Sequence, residues 1–82
     1  MAISDKIKAL LKLQGKSHKG LAECLGISEQ ALSNKFYRDS YSGTDLIKVA
    51  AYLDCELAFT TGATKIPLTV EDIKTAPENN QG

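Results

Sequence analysis

The side chains with the most distinctive chemistry in this 82-residue chain lie in one short polar segment, residues 28–34. Two carboxamides, Gln30 and Asn34, are one helical turn apart, and each offers a donor beside an acceptor. That combination matches the major-groove edge of adenine, so the segment predicts hydrogen bonding to bases. The candidates for base contact are Ser28, Glu29, Gln30, Ser33 and Asn34. The same pattern is also typical of the solvated face of an ordinary helix. The elements around the segment are therefore needed to distinguish a DNA-contacting helix from a merely solvated one.

A tight turn of the kind that joins two short helices precedes this segment. Ala22 is small enough for a second helix to cross close by, and Gly26 can take the left-handed conformation that ends a helix. Ile27 is placed to fill the inside of the corner, and Ser28 to cap the helix that follows. Two helices around such a turn form a helix-turn-helix, which presents its second helix to the DNA major groove.

The spacing of apolar residues predicts a mainly α fold, with one further helix on each side of this motif. We expect helices over about 3–14, 18–25, 29–36 and 43–53, with Ser17, Ser28 and Ser42 as N-caps and Gly15 ending the first helix. The predicted core consists of Ile7, Leu10, Leu21, Ala22, Leu25, Leu32, Leu46, Ala50 and Leu53, with Phe36 closing the third helix over it. Residues 1–54 would therefore form one four-helix domain.

After residue 54 the apolar period changes to two on both sides of a glycine-containing turn, which predicts a β-hairpin over residues 55–74. Residues 69–72 could also begin a short helix, and residues 75–82 should be disordered. A two-stranded hairpin is barely stable alone, and its outer strand exposes unpaired backbone groups. We therefore expect the hairpin to join two copies of the chain as a homodimer. The alternative is a monomer whose hairpin folds back over the first and fourth helices. The expected interface residues are Leu57, Phe59, Ile66, Leu68 and Val70.

The distribution of charge narrows the classes of function. Ten Lys/Arg and ten Asp/Glu give the chain a net charge of zero. Residues 1–55, however, contain eight Lys/Arg and six Asp/Glu, a balance of +2. The remaining residues hold two and four, a balance of −2. This small asymmetry is compatible with nucleic acid at the helical part. We find no secretory signal and no apolar run of the ~20 residues that a membrane span needs, so we expect a cytoplasmic protein.

Catalysis and metal binding are not expected. His18 is the single histidine, and no Cys or Asp is arranged around it in the sequence. Cys24 and Cys55 lie thirty-one residues apart with no CxxC pair, which favours two reduced thiols over a zinc site. The sequence also has no glycine-rich phosphate loop. We therefore expect no enzymatic activity, no cofactor, no metal and no small-molecule ligand.

Residues 3–53 resemble the Cro/lambda-repressor-like helix-turn-helix family, also called XRE. Ala22, Gly26, Ile27 and Leu32 match the motif of the family, as does the LIKVAAYL run that follows them. The resemblance implies sequence-specific binding to double-stranded DNA by a compact helical domain that is usually dimeric. It also implies a transcriptional regulator of bacterial, phage or mobile-element origin, and it leaves repression and activation equally open.

Two residues depart from the pattern of the family. The family often has Gln at the start of its second helix, where it meets a phosphate and braces the recognition helix; here the residue is His18, which can also donate to phosphate. Glu29 lies near the front of the recognition helix, residues 28–36, where it repels phosphate but can accept a hydrogen bond from cytosine N4. Glu29 and the zero net charge favour an alternative function, a protein-interaction module that keeps the fold and binds DNA weakly.

Phosphate contacts are expected from the rim of the recognition surface, where cations, hydroxyls and helix N-termini occur together. The candidates are Lys16, Ser17, His18, Lys19, Lys35, Tyr37, Arg38, Ser40, Tyr41, Ser42 and Thr44. Any one of the lysines could equally be an ordinary solvated side chain, and Tyr41 could equally pack against the domain.

Overall fold

The computed structural model describes residues 2–73. Within them the chain forms α1 (Ile3–Gln14), α2 (His18–Leu25), α3 (Glu29–Arg38), α4 (Gly43–Tyr52), β1 (Leu57–Thr60), β2 (Lys65–Leu68) and a 3₁₀ turn at Val70–Asp72. The predicted mainly α fold with a C-terminal β-hairpin is therefore confirmed. The helix α3 extends to Arg38, past the predicted end at Phe36. The tail that we expected to be disordered, residues 75–82, lies outside the described residues.

Serine side chains begin three of the helices in residues 2–73, as the sequence predicts. The side-chain oxygens of Ser17, Ser28 and Ser42 each accept a hydrogen bond, at 3.0 Å, from the backbone N–H three residues later. Each bond satisfies an amide that the helix itself leaves without a partner. Gly15 and Gly26 end α1 and α2 in the left-handed conformation, with φ of 68° and 73°. The local sequence therefore sets most of these helix boundaries.

The helices enclose a core of mostly aliphatic side chains. Its buried members are Ile7, Leu11, Leu21, Ala22, Leu25, Leu32, Phe36, Val49 and Leu53. Leu10 is half-buried but packs against this core, in line with the prediction. Leu46 and Ala50 are half-buried and do not belong to it, so the prediction is wrong for these two residues. The apolar stripes of α1 and α4 are wider than the surface that the other described elements cover. Their uncovered edges line a shallow groove.

The hairpin packs against the helical domain at its base and stands clear of it further along. Its strands pair antiparallel, with Leu57 opposite Leu68 and Phe59 opposite Ile66. Leu57 lies beside α4, and both Leu57 and Leu68 are half-buried, whereas Phe59 and Ile66 are exposed. Within residues 2–73 both strands are edges of the sheet. Pro67, which has no N–H to donate, is therefore tolerated in β2.

The helix α4 crosses α2 closely at a glycine. The Tyr52 side chain lies over Gly20, and its hydroxyl donates to the backbone oxygen of Ser17 at 3.4 Å. A Cβ built on Gly20 would overlap that hydroxyl. The Lys16 ammonium lies on the same tyrosine, 4.9 Å from the centre of the ring. Glycine, a poor helix former, therefore makes room inside α2 for a contact with a helix that is distant in the sequence.

Gly20→Ala tests this contact. In an ordinary helix interior the change stabilises by about 1 kcal/mol, but here we expect it to lower the free energy of unfolding by about 1 kcal/mol, because Tyr52 must leave its place. In a Tyr52→Ala background the same change should instead stabilise by about 0.5–1 kcal/mol. Urea denaturation of wild type, both single variants and the double variant measures the difference. A Gly20→Ala chain that is more stable than the wild type would contradict the account.

Candidate nucleic-acid interface

One face of α3 points to solvent. Leu32 and Phe36 anchor the helix in the core. The residues predicted for base contact, Ser28, Glu29, Gln30, Ser33 and Asn34, are all exposed. Tyr37 continues the same surface and is 91% exposed. The structure therefore brings the predicted base-contact residues together on a single helix and its N-cap.

The two carboxamides on this face are in contact with each other. Gln30 Nε2 donates to Asn34 Oδ1 at 3.4 Å. This hydrogen bond leaves the Gln30 side-chain oxygen as an acceptor next to the Asn34 amide group as a donor. Ordering the pair in advance reduces the entropy that is lost when a ligand binds. The surface therefore offers the donor–acceptor pair that the adenine edge requires.

The N-terminal ends of two other helices adjoin α3. The His18 ring at the start of α2 packs edge-on against Phe36, with ring centroids 5.3 Å apart. In the first turn of α4, Asp45 accepts a hydrogen bond from Lys35 Nζ at 2.8 Å. Helix N-termini carry a partial positive charge and unpaired amides, so they attract phosphate oxygens. The start of α2 is therefore the better position for a phosphate beside α3, because the Asp45 carboxylate already occupies part of the α4 N-terminus.

Eight of the eleven residues predicted for phosphate contact are exposed. They are Ser17, His18, Lys19, Tyr37, Arg38, Ser40, Ser42 and Thr44. Lys19 and Arg38 carry positive charge, whereas the others offer hydroxyl or imidazole groups that donate hydrogen bonds. This part of the surface is therefore rich in hydrogen-bond donors and poor in cations.

The other three predicted phosphate contacts are half-buried and have partners inside the domain. They are Lys16, Lys35 and Tyr41. Lys16 Nζ donates to the backbone oxygen of Tyr52 at the end of α4, where a positive charge is favourable. Lys35 forms an ion pair with Asp45, and the Tyr41 hydroxyl is hydrogen-bonded to Ser4 Oγ. Burial raises the pKa of Tyr41. In the structure all three residues hold parts of the domain together. The sequence left this alternative open for Tyr41 and did not reveal it for Lys16 and Lys35.

A carboxylate from the end of α3 caps the first helix. The residue before α1 is Ala2, whose side chain has no acceptor. Asp39 supplies one: its Oδ1 accepts from the Ser4 N–H at 2.7 Å and its Oδ2 from the Ile3 N–H at 3.3 Å. Asp39 is in the left-handed conformation, with φ of 54°, and ends α3 there. The hydrogen bond from the Ser4 amide, followed by that from the Ser4 hydroxyl, lowers the pKa of Asp39.

The Ser4 hydroxyl completes this junction. It is buried and lies 2.8 Å from both the Phe36 backbone oxygen and Asp39 Oδ1, and it also contacts the Tyr41 hydroxyl. The junction ties the start of α1 to the end of α3 and to the loop that follows it. Sequence reasoning missed the junction because Asp39 lies in a polar segment, residues 38–43, that has the composition of an ordinary loop. The poor N-cap at Ala2 was the available signal.

A second carboxylate joins α3 to α4. Asp45 Oδ2 accepts from Lys35 Nζ at 2.8 Å and from the Ser42 N–H at 3.0 Å, and the latter bond completes a capping box. Partial burial opposes the ionisation of Asp45, but the hydrogen bonds from Lys35 and Ser42 outweigh it, so the pKa of Asp45 is lowered. Asp39 and Asp45 therefore hold the loop between α3 and α4 at both of its ends.

Acid should weaken both of these attachments. A carboxylate whose pKa is lower in the folded chain stabilises the fold above its unfolded pKa, and that contribution is lost as the pH falls through its folded pKa. An unfolded aspartate has a pKa of about 3.9, so we expect the free energy of unfolding to decline below about pH 4. Asp39→Asn keeps an acceptor oxygen and tolerates the left-handed conformation, and it should make this decline shallower. Urea unfolding at a series of pH values measures the slope, and an Asp39→Asn chain with the slope of the wild type would contradict the proposed cap.

Within residues 2–73, no three His, Cys, Asp or Glu side chains come together to hold a metal ion. The helices in that range are each too short or too polar to cross a membrane. Comparisons of the chain with protein-family models, with curated proteins and with solved structures give no match. The exposed face of α3 and the residues around it are therefore the features of this chain that bear on its function.

Proposed function

We propose that this protein binds double-stranded DNA sequence-specifically and regulates transcription, with α3 as the recognition helix in the major groove. The observation that carries the proposal is the exposed polar face of α3 next to the N-termini of α2 and α4. In a helix-turn-helix the second helix contacts base edges, while helix N-termini are ready sites for phosphate. The resemblance of residues 3–53 to the Cro/lambda-repressor-like family supports the same function.

Base recognition in this proposal depends on two carboxamides and one carboxylate of α3. Gln30 and Asn34 bond to the N6 and N7 atoms of adenine, and Glu29 accepts from cytosine N4. Phosphates on the rim are bound by hydroxyls, by the His18 imidazole and by the charged groups of Lys19 and Arg38. Hydrogen bonds from Glu29, Gln30 and Asn34 would therefore select the base sequence of the DNA site.

Electrostatic attraction to DNA is weak in this proposal. The net charge of the chain is zero, and Lys16 and Lys35 are engaged within the fold. Each phosphate that a cation neutralises contributes about 0.9 to the slope of log affinity against log salt concentration. With Lys19 and Arg38 as the contributing cations, we expect a slope of about −2 for each copy of the chain, which is shallow for a DNA-binding protein.

The homodimer joined through the hairpin is part of the same proposal, with Leu57, Phe59, Ile66, Leu68 and Val70 at its interface. A monomer whose hairpin folded back over α1 and α4 would cover Phe59 and Ile66, yet both are exposed. Exposed apolar side chains next to open strand edges favour pairing with another chain. A two-fold dimer would present two copies of α3 to half-sites about 34–36 Å apart.

The second candidate function is a protein-interaction module with little affinity for DNA. Glu29 at the start of α3 and the engagement of two predicted cations within the fold favour it, since both reduce attraction to phosphate. A titration against mixed-sequence DNA at low salt separates the two candidates. A DNA-binding protein of this kind should bind such DNA with a dissociation constant of about 10⁻⁴–10⁻⁶ M or tighter, whereas an interaction module should not bind it.

Truncation of the carboxamides tests the base contacts. Gln30→Ala and Asn34→Ala should each weaken binding to a selected DNA site by about 1–3 kcal/mol and leave binding to mixed DNA nearly unchanged. Both side chains are exposed, so thermal unfolding should confirm that stability is preserved. Fluorescence anisotropy titrations measure the two affinities. An equal loss on every DNA sequence would mean that these residues do not read bases.

Truncation of the rim cations tests the phosphate contacts. Arg38→Ala and Lys19→Ala should weaken binding to all DNA alike, and each should reduce the salt slope by about one for each copy of the chain. Lys12→Ala is the matched control, because Lys12 is an exposed lysine of α1 outside the predicted contacts. The control should leave the slope unchanged. Equal effects of all three substitutions would indicate a response to net charge alone.

A further inference from the structure

An apolar groove, here called the α1/α4 groove, is open on the side of the domain next to the hairpin. It has a volume of about 180 Å³ and is lined by α1, α4 and residues 55–57. The side chains along its open part are Ile3, Leu10, Leu46, Ala50 and Leu57. Its charged lining residues, Lys6 and Glu56, have opposite signs. An apolar surface with balanced charge suits an uncharged apolar group better than a phosphate or an acidic peptide.

The hairpin carries two exposed apolar side chains, here called the hairpin pair: Phe59 and Ile66. They are cross-strand neighbours, so they lie on the same face of the sheet as Leu57 and Leu68. Phe59 is 67% exposed and Ile66 58%. Phe59 follows Leu57 by two residues, roughly 7 Å along the strand, and Leu57 lines the groove of the same chain. The Phe59 ring therefore stands beyond the groove of its own chain.

We propose that the α1/α4 groove holds the hairpin pair of a second copy of this chain, in a reciprocal exchange about a two-fold axis. The inference rests on the homodimer proposed above and adds the surface of the helical domain that receives the partner. Each copy carries both the groove and the pair, as a self-complementary two-fold contact requires. A head-to-tail contact between the same surfaces would build a ring or an open filament instead of a closed pair.

The sizes of the two surfaces agree with this exchange. An apolar cavity of about 150 Å³ holds one benzene molecule, so the α1/α4 groove, at about 180 Å³, has room for a phenylalanine ring. The hairpin face alone is small, because each four-residue strand is roughly 13 Å long. A stable interface buries about 800 Å² on each partner. Adding the groove extends the contact over α1 and α4 and covers Ile3, which is 43% exposed at its edge.

Two substitutions test separately what the hairpin pair and the groove contribute to dimerisation. Phe59→Ala removes the ring and leaves the groove open, whereas Ala50→Phe fills the groove and leaves Phe59 in place. A dimer of either variant alone cannot place a Phe59 ring in a groove, because one variant lacks the ring and the other lacks the open groove. A mixed dimer can, because the Phe59 ring of the Ala50→Phe copy fits the open groove of the Phe59→Ala copy. Sedimentation equilibrium of the full chain gives each dissociation constant, and circular dichroism melting checks that each variant is folded.

We expect each variant alone to dimerise about tenfold or more weakly than the wild type. The equimolar mixture should form a mixed dimer that is tighter than either variant dimer. Ile3→Gln replaces Ala50→Phe if the latter does not fold, and it should weaken the wild-type dimer by about threefold or more because Ile3 forms the edge of the groove.

Two results would overturn the inference, and they have different meanings. If a folded Ala50→Phe or Ile3→Gln variant dimerises as tightly as the wild type while Phe59→Ala does not, the hairpin joins the copies without the groove and the proposed dimer stands. If the wild-type chain stays monomeric at about 100 μM, a concentration at which stable dimers form, the dimer and the groove exchange both fail. DNA binding by α3 is measured separately on the same proteins, so its failure would be recognised independently.

Discussion

The burial of Leu32 and Phe36 fixes the orientation of α3, and the exposed face of that helix depends on it. A ten-residue helix is marginal in water alone, so tertiary packing must hold it. Phe36 lies between the His18 ring and the Lys8 ammonium, which is 5.1 Å from the centre of the phenyl ring. The backbone oxygen of Phe36 also lies beside the buried Ser4 hydroxyl. One residue of α3 therefore contacts both α1 and α2.

Three charged side chains of this domain lie at the ends of helices and form hydrogen bonds there. Asp39 caps α1, Asp45 closes the capping box of α4 and holds Lys35, and Lys16 lies on the last carbonyl of α4. A carboxylate at a helix N-terminus and a cation at a C-terminus are both favourable arrangements. The same arrangement leaves few cations for phosphate among the predicted contacts. Hydrogen bonds, rather than the overall field of the protein, must then supply specificity in the proposed function.

The features that sequence predicts well are those whose cause is local. Ser28 lies three residues from the amide that it caps, and Gly26 needs a left-handed conformation whatever surrounds it, so both were predictable. The polar face of α3 was predictable from helical period alone. The order of helices and hairpin followed from the change of apolar period after residue 54.

The features that sequence missed depend on partners that are distant in the chain. Gly20 makes room for Tyr52, and Asp39 accepts hydrogen bonds from the amides of Ser4 and Ile3, so no local pattern reveals either contact. Leu10 has the spacing of a core residue but lies at the edge of an uncovered groove. Hydrophobic periodicity identifies the apolar side of a helix, but it does not show how much of that side another element covers.

The most direct test of the central claim is selection of bound sequences from a random pool of double-stranded DNA, using the full chain at low salt. The account predicts enrichment of an inverted repeat with adenine at defined positions in each half-site, because Gln30 and Asn34 are the bidentate groups on α3. The half-sites should be centred about 10–10.5 base pairs apart, or a multiple of that spacing, because a two-fold dimer presents both copies of α3 to one side of the duplex. A pool that shows no enriched sequence after repeated rounds would contradict the account.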